Sequence, residues 1–409
     1  MASNQPTASA AQMAQQAQQQ NMASRVAVLQ QALNMWQPIF SQTFTTPTPG
    51  QVYNIPVRQV GFTKRFLIEI SMTLNVGGGE TETLNPQLGP SNILSNVTLN
   101  DLSNYTRINT TGWHLWMLSC VKKGFFNGLA AGGMASFQPN PGVWGAAYTN
   151  DSPMNAKSNF GVIKAPATYT TSGQVVNMIY EVPCSYNDVD LRGAIYTSVV
   201  SATMNLQFTL NPNFFQGSSA TDVTTGVYKS STATLGTIAS MTITVHQNYL
   251  DQLPFTNQGP ILPAQDLSKM YLLTNTSMTG LSVGQDYPIQ FPNFRAWQSL
   301  SMIYNDAGTV TAGTDISLFQ LQTANLTNIW QFDPQIAQLR YGRHIIQDDW
   351  PLGTYYFDFR DRPINTNNFG NMQFTVRPSV VNAGANLLLG FEGIGIANQV
   401  ITAGSIPGN

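Results

Sequence analysis

The best-spaced candidates for chemistry lie in the second half of the chain. Gly280 to Gly284 spells GLSVG, which matches the GxSxG pattern around a nucleophilic serine, here Ser282. Asp333 and His344 follow in the chain order of a hydrolase triad. Such a serine needs a strand before it and a helix after it, whereas QDYPIQF follows here and is typical of a turn and then a strand. We therefore interpret the match as chance and predict no catalytic residue.

Histidines and cysteines form no pattern for a metal or redox centre. His114, His246 and His344 are isolated from one another and lie outside any HExxH spacing. Cys120 and Cys184 form no CxxC motif, so one disulfide and two buried thiols both remain open, with thiols favoured. So few cysteines fit a reducing compartment. We predict neither a metal nor another cofactor.

Acidic and aromatic side chains suit two further kinds of site. Paired carboxylates are the groups of Ca²⁺ sites and of glycosidases, and clustered rings can form a sugar platform. Arginines neighbour several of the acids, so we favour internal ion pairs, and we expect the rings to pack in cores or interfaces. The acids are Asp188, Asp190, Asp348, Asp349, Asp358 and Asp361, the arginines Arg343, Arg360 and Arg362, and the tryptophans Trp113, Trp116, Trp144, Trp297, Trp330 and Trp350.

The composition is polar but almost uncharged. Charged residues make up 9% of the 409 residues, with a net charge of −2, where an ordinary soluble domain has about 25% charged residues. The chain contains no basic block for nucleic acid, no apolar run long enough for a membrane span and no signal-peptide pattern. A surface of Asn, Gln and Thr can be dehydrated without stranding an ion, so we predict self-association. A secreted polar β-protein is the alternative.

The elements that must position these residues begin with a helical arm, residues 1–36. Residues 9–22 are almost all Ala, Gln and Met, which favour helix. The apolar residues that follow recur every three or four positions, which predicts one apolar helical face that ends before Pro38. We hypothesise that this face acts in assembly; a membrane-surface helix is the alternative, although such helices normally carry Lys or Arg. The residues of the face are Val26, Leu29, Leu33 and Trp36.

After the arm, apolar residues alternate with polar ones, which is typical of strands with one buried face. Phe66 to Leu74 and Met204 to Leu210 show this pattern. Strands and helices do not alternate, and long polar loops separate the strands, which favours β-sandwiches and jelly rolls in particular. The stretch HQNYLDQLP at 246–254 predicts a junction between a first domain, 37–245, and a second, 246–409. The two halves share no recognisable sequence repeat.

Several longer strings resemble one known family. They run in order through both halves of the chain and are similar to strings of the major capsid proteins of tectiviruses, which are membrane-containing icosahedral bacteriophages. Among them are TGWHLWM (Thr111–Met117), YEVPCSYNDVDLRGA (Tyr180–Ala194), HQNYLDQLP (His246–Pro254), GTYYFDFRDRPI (Gly353–Ile364) and VNAGANLLLGFE (Val381–Glu392).

The resemblance implies an all-β double jelly roll, two eight-stranded β-sandwich barrels in one chain, with an N-terminal α-helical arm. It also implies a structural major capsid protein whose homotrimers are pseudo-hexagonal capsomers that tile an icosahedral shell around an internal membrane. The expected partners are neighbouring capsomers and the vertex and minor capsid proteins, without direct nucleic-acid binding; contact of the arm with the membrane is left open. The expected location is the virion, after assembly in the host cytoplasm.

Other classes of function remain open on the sequence. A trimeric β-rich virion spike or host-adhesion protein differs from a capsid tile in its copy number per virion. A carbohydrate-binding protein or glycosidase needs its aromatic and acidic residues in one cleft. A lipase-like hydrolase depends on Ser282.

Overall fold

A computed structural model provides the coordinates of the chain. It describes residues 10–85, 89–123, 165–166, 168–198, 203–220, 226–257, 259–292, 295–305, 315–323, 328–333, 336, 354–361, 363–366 and 372–396.

The described elements are mostly strands. The helices are α1 (Ala10–Gln31), α2 (Gly112–Lys123) and α3 (Ala264–Leu267), with a 3-10 turn at Gly89–Ile93. The strands of the first half are β1 (Leu33–Thr45), β2 (Val52–Pro56), β3 (Phe62–Asn75), β4 (Glu82–Leu84), β5 (Leu94–Asn100), β6 (Thr106–Thr110), β7 (Thr168–Tyr169), β8 (Gln174–Pro183), β9 (Ile195–Tyr196), β10 (Asn205–Leu210), β11 (Phe215–Gln216), β12 (Tyr228–Ser230) and β13 (Thr237–Asp251). Those of the second half are β14 (Phe255–Thr256), β15 (Gly259–Pro260), β16 (Lys269–Met278), β17 (Tyr287–Gln290), β18 (Arg295–Asn305), β19 (Ile316–Thr323), β20 (Asn328–Phe332), β21 (Thr354–Asp358), β22 (Ile364–Asn365), β23 (Met372–Pro378) and β24 (Asn386–Ile396).

Eight strands of the first half form a jelly-roll barrel. One sheet has the order β1-β13-β3-β8, and β2-β10-β5-β6 run side by side in the other. If these eight strands are numbered along the chain, the two orders are 1-8-3-6 and 2-7-4-5, the strand order of a jelly roll. The short strands β4, β7, β11 and β12 form a small additional sheet.

The second half repeats this order. Its sheets are β16-β24-β18-β21 and β17-β23-β19-β20, which are again 1-8-3-6 and 2-7-4-5. The duplication that no sequence repeat indicates is therefore plain in the topology. The prediction of an all-β double jelly roll with an N-terminal helix is confirmed.

The two barrels share one sheet. Strand β6, at the end of the second sheet of the first barrel, pairs in parallel with β16, at the end of the first sheet of the second barrel. A single nine-stranded sheet thus runs through both halves of the chain.

Each barrel has its own core, built by the alternation of the strands. In β3, Phe66, Ile68, Ile70 and Met72 are buried, while the residues that alternate with them are partly exposed or exposed. In the second barrel, Phe357 and Phe374 face each other edge-on with ring centroids 4.7 Å apart. Burying one such side chain contributes roughly 1.5–3 kcal/mol, so the many buried strand residues supply most of the stability of each barrel.

The helical arm is shorter than the sequence pattern predicted. Helix α1 ends at Gln31, and Leu33 and Trp36 lie in strand β1, which pairs with β13 along its length. The prediction that both residues extend the apolar helical face is wrong. A spacing of three, which puts two residues on one face of a helix, puts them on opposite faces of a strand. This segment forms a strand instead of continuing helix α1, because it pairs with β13 and contains residues that favour strands, such as Ile39 and Phe40.

The junction between the barrels lies later than 245. Strand β13 continues to Asp251 and pairs with β1 and β3 over this last part, so a boundary between 245 and 246 would cut a strand. We propose that the first barrel ends at Asp251.

Within the described residues, no helix is long and apolar enough to cross a membrane.

Candidate functional site at the seam between the barrels

The two barrels meet at a seam centred on β6 and β16. Ile108 of β6 lies opposite Leu273 of β16, and Asn109 lies opposite Thr274. Ile108 and Leu273 are fully buried. Backbone pairing and apolar burial together fix how one barrel is oriented on the other.

A buried ion pair crosses this seam. Lys122 of α2 places its Nζ 2.5 Å from Oε1 of Glu392 in β24. The Tyr271 hydroxyl donates to the same oxygen at 2.7 Å, and the Ser299 hydroxyl donates to Oε2 at 2.7 Å. Glu392 is fully buried, so these donors replace the water that a carboxylate would otherwise need.

The charge of Glu392 depends on these partners. Burial by itself raises the pKa of the Glu392 carboxyl group. The Lys122 ammonium and the hydrogen bonds from Lys122, Tyr271 and Ser299 outweigh burial and hold that pKa below its ordinary value. Burial and the neighbouring carboxylate raise the pKa of Tyr271 well above its ordinary value. At neutral pH, the seam therefore contains an ionised Glu392 and a protonated Tyr271.

His114 of α2 packs against β24 where Gly390 leaves room for it. A Cβ atom at Gly390 would lie 2.4 Å from the imidazole ring, closer than real Cβ contacts allow. Thr110 Oγ1 lies 2.7 Å from Nδ1 of His114. Complete burial lowers the pKa of His114 to about 3, so this contact between the barrels uses a neutral imidazole.

Arg107, the bulged residue of β6, makes a second polar contact at the seam. Its Nε donates to Oδ2 of Asp101 at 3.0 Å, and its Nη1 donates to the carbonyl of Gly193 at 2.9 Å. Gly193 has a φ of 91°, and a Cβ there would lie 2.6 Å from the backbone nitrogen of Tyr271. Only glycine permits so close an approach of the two barrels at this point.

Helix α1 docks where the two halves of the chain meet. Val28 is fully buried, and Leu29 is half-buried against the same apolar cluster. The cluster takes residues from both halves: Phe62, Leu191, Ala194, Leu250 and Leu267. The arm is therefore part of the packed structure of its own chain.

A polar latch holds the arm beside this cluster; we define it as Asn21, Arg25, Asp190 and Asp266. The Arg25 guanidinium donates to both carboxylate oxygens of Asp266 at 2.5 Å and lies 3.8 Å from Asp190. Asn21 donates to Asp266 at 3.1 Å. Because Asp190 belongs to the first half and Asp266 to α3, one arginine connects the arm to both halves.

The residues predicted for the assembly arm are not brought together in one buried face. Val26, Leu33 and Trp36 are 45%, 47% and 45% exposed. Of the four, Leu29 packs against the docking cluster, beside Val28. The docked face consists of Val28, Leu29 and the latch residues Asn21 and Arg25, and the spacing pattern missed all of these except Leu29. One signal was present in the sequence, since Arg25 is the single Lys or Arg among the first 57 residues.

Weakening the latch is expected to release the arm. Asp266→Asn removes the charge that pairs with Arg25, and a charge-assisted hydrogen bond contributes about 1.5–3 kcal/mol. Trypsin should then cut after Arg25 roughly 10 to 100 times faster, because cleavage follows the population of the undocked arm. Digestion followed by mass spectrometry measures the rate. Asp286→Asn, which breaks the exposed pair with Arg377, is the matched control and should leave cleavage at Arg25 unchanged. Equal rates in all three proteins would show that the latch does not hold the arm.

Comparison with known proteins decides the family. Residues 2–253 match the family model "P3 major capsid protein N-terminal", and residues 268–408 match "P3 major capsid protein C-terminal". The chain belongs to the P3 major capsid protein family. The major capsid protein P3 of Enterobacteria phage PRD1 is 32% identical over 404 residues, which are 98% of this chain and 97% of that protein.

Solved structures carry the same fold as this P3-family chain. The crystal structure of the STIV MCP has a TM-score of 0.58 at 10% identity, covering 89% of this chain and 97% of that one. The quasi-atomic PBCV-1 virus capsid has a TM-score of 0.52 at 11% identity, covering 89% and 94%. Identities this low support the fold alone. The family match confirms the resemblance to tectivirus capsid proteins: the chain is a structural major capsid protein of the virion, and the spike, adhesion and carbohydrate-binding alternatives are not favoured.

In this capsid protein, the GxSxG match is a surface turn. Gly280 and Gly284 have φ angles of 71° and 74°, and strand β17 follows where a hydrolase has a helix. Ser282 is exposed, and its backbone N–H donates to the Tyr287 hydroxyl at 2.6 Å. Asp333 is exposed, while His344 lies outside the described residues.

Arginine–carboxylate pairs occur among the described acidic clusters, as predicted. Arg360 approaches Asp358 to 2.5 Å, and Arg192 approaches Asp190 to 2.6 Å. In the part of the chain that the structure describes, no group of three or more His, Cys, Asp or Glu residues could hold a metal ion. The predictions for Asp348, Asp349, Arg343 and Arg362 fall outside that part.

Cys184 and the described members of the tryptophan set that was predicted for cores or interfaces are packing residues. Cys184 is a buried free thiol, and burial raises its pKa to about 12, which makes it unreactive. The side chain of Cys120 lies outside the described set. Trp113, Trp116 and Trp297 are buried and Trp330 is half-buried, whereas Trp144 and Trp350 fall outside the described residues.

Proposed function

We propose that three copies of this chain associate into a homotrimer whose six barrels form a pseudo-hexagonal capsomer. The observation that carries the proposal is the repeated jelly-roll order in one chain, with the two barrels joined by a continuous sheet. Three such two-barrel units supply six barrels of the same topology, and a closed cyclic trimer arranges them in a ring. The low charge of the chain favours this association, because its polar surface can be dehydrated without burying unpaired ions.

We further propose that these capsomers tile an icosahedral shell around an internal membrane, together with vertex and minor capsid proteins, after assembly in the host cytoplasm. The role is geometric, with no catalytic activity and no direct nucleic-acid binding. The exposed Val26 is available to neighbouring capsomers or to the membrane. The family membership and the docked arm support this view.

Native mass spectrometry tests the trimer. We expect one dominant species at three times the chain mass of 44.6 kDa, about 134 kDa. The species should persist on dilution into the low micromolar range. A protein that stays monomeric at high concentration, or that forms dimers or tetramers instead, would contradict the proposal.

A further inference from the structure

The two barrels can be aligned residue by residue through their β-bulges. In the first barrel, Leu99 of β5 pairs with Ile108 of β6, and the register then skips Arg107. In the second barrel, Leu321 of β19 pairs with Trp330 of β20, and the register then skips Ile329. Each bulge falls at the same point of the same strand pair. Ile108 therefore corresponds to Trp330, and Arg107 corresponds to Ile329.

A second pair of bulges aligns the first strands of the two barrels. Where β13 pairs with β3, Lys64 is the unpaired bulge residue, and Asn248 is the paired residue beside it. Where β24 pairs with β18, Gln298 is the unpaired bulge residue, and Glu392 is the paired residue beside it. Asn248 and Glu392 are thus equivalent, and both are buried polar residues. Asn248 lies opposite Trp36 of β1, and Glu392 lies opposite Leu273 of β16. Trp36 therefore corresponds to Leu273.

At the seam inside the chain, one residue of each equivalent pair, Ile108/Trp330 and Leu273/Trp36, contacts one residue of the other. Ile108 lies opposite Leu273 there, and both are fully buried. Their counterparts Trp330 and Trp36 lie in β20 and β1, which are the last strands at the ends of their sheets. Trp36 is 45% exposed, and Trp330 is half-buried.

The bulged residues show the same contrast. Arg107 is buried at the seam inside the chain, whereas its counterpart Ile329 is 49% exposed. An apolar residue at the bulge of β20 is therefore left exposed where its equivalent in β6, at the seam, is buried.

We propose that the seam is repeated between chains: β20 of one chain meets β1 of the next in the register of β6 and β16. This places Trp330 opposite Trp36 of the neighbouring copy and covers Ile329. The inference rests on the proposed trimer and adds its contact surface. A ring of six barrels, each joined to the next by a fifth strand against a first strand, closes when three chains contribute two barrels each.

Cysteine cross-linking tests the register. The pair equivalent to Thr274 and Asn109 is Gln37 and Gln331 of neighbouring copies, so Gln37→Cys combined with Gln331→Cys should oxidise to disulfide-linked dimers and trimers on a non-reducing gel. The control pair, Gln42→Cys with Gln331→Cys, moves one thiol by five strand residues, about 16 Å, beyond disulfide reach. We expect at least tenfold more cross-linking in the first pair. Both single variants give the background from the native cysteines.

The outcomes separate this inference from the trimer itself. If the protein forms the species of about 134 kDa but the first cysteine pair cross-links no better than the control pair, the inference is overturned and the trimer stands. Absence of that species in the wild-type protein overturns the proposed function, and the inference with it. As a second measurement on unaltered protein, amide hydrogen exchange of β1 and β20 should slow at least tenfold in the trimer relative to dissociated chains; unchanged exchange also overturns the inference.

Discussion

Replacing Lys122 with methionine is expected to lower the free energy of unfolding by about 3 kcal/mol or more at neutral pH, because it leaves a fully buried carboxylate without its cation. Glu392 would keep its hydrogen bonds from Tyr271 and Ser299 but lose the ammonium 2.5 Å away. Urea unfolding at fixed protein concentration measures the loss, since the apparent stability of an oligomer depends on concentration.

The contribution of Glu392 to the free energy of unfolding should change with pH in opposite directions in the wild-type protein and in the Lys122→Met variant. In the wild-type protein the pKa of Glu392 is depressed, so the stability it contributes is present above its unfolded pKa and is lost as pH falls through the folded pKa. Without Lys122, burial raises the folded pKa above the unfolded one. The difference in free energy of unfolding between the wild-type protein and the variant should then shrink as pH falls from about 8 to 5, by at most about 1.4 kcal/mol per pH unit.

Two controls isolate the buried pair. Arg377→Met removes the cation of the exposed pair with Asp286 and should cost about 0–1 kcal/mol. Combining Lys122→Met with Glu392→Gln removes both charges and should recover part of the loss. A deficit in Lys122→Met that is below about 1 kcal/mol, or that does not change with pH, would show that the pair does not stabilise the seam.

Truncating Trp36 to alanine is expected to weaken association of the proposed trimer by about four orders of magnitude. A tryptophan at the centre of an interface contributes roughly 2 kcal/mol or more, and a cyclic trimer contains the contact three times. The total of about 6 kcal/mol corresponds to about 10⁴-fold in the association constant. The separate chain should lose little stability, because Trp36 is exposed there.

A dilution series followed by native mass spectrometry measures this effect. Val283→Ala is the control, since Val283 is exposed in the turn between β16 and β17 and lies on neither β1 nor β20. Its trimers should dissociate at the wild-type concentration. If Trp36→Ala shifts the midpoint by less than tenfold, Trp36 does not lie at the contact between chains.

Local patterns in the sequence determined the strands and the kind of fold. The alternation from Phe66 to Leu74 predicted a strand with one buried face, because the face that a strand residue occupies depends only on whether its position is odd or even. The same local reasoning failed at the end of the arm. Spacing placed Leu33 and Trp36 on a helix, whereas pairing with Asp251 and Asn248 of β13, more than two hundred positions away in the chain, draws them into a strand.

Only the tertiary structure revealed the seam and the duplication behind it. Lys122 and Glu392 resemble solvated surface charges in the sequence, and they become a buried pair because β6 and β16 bring helix α2 against β24. The repeated strand order and bulges leave no trace in residue identities. A jelly roll requires that certain positions be buried and does not prescribe which residues fill them, so Ile108 and Trp330 can occupy the same place in two barrels.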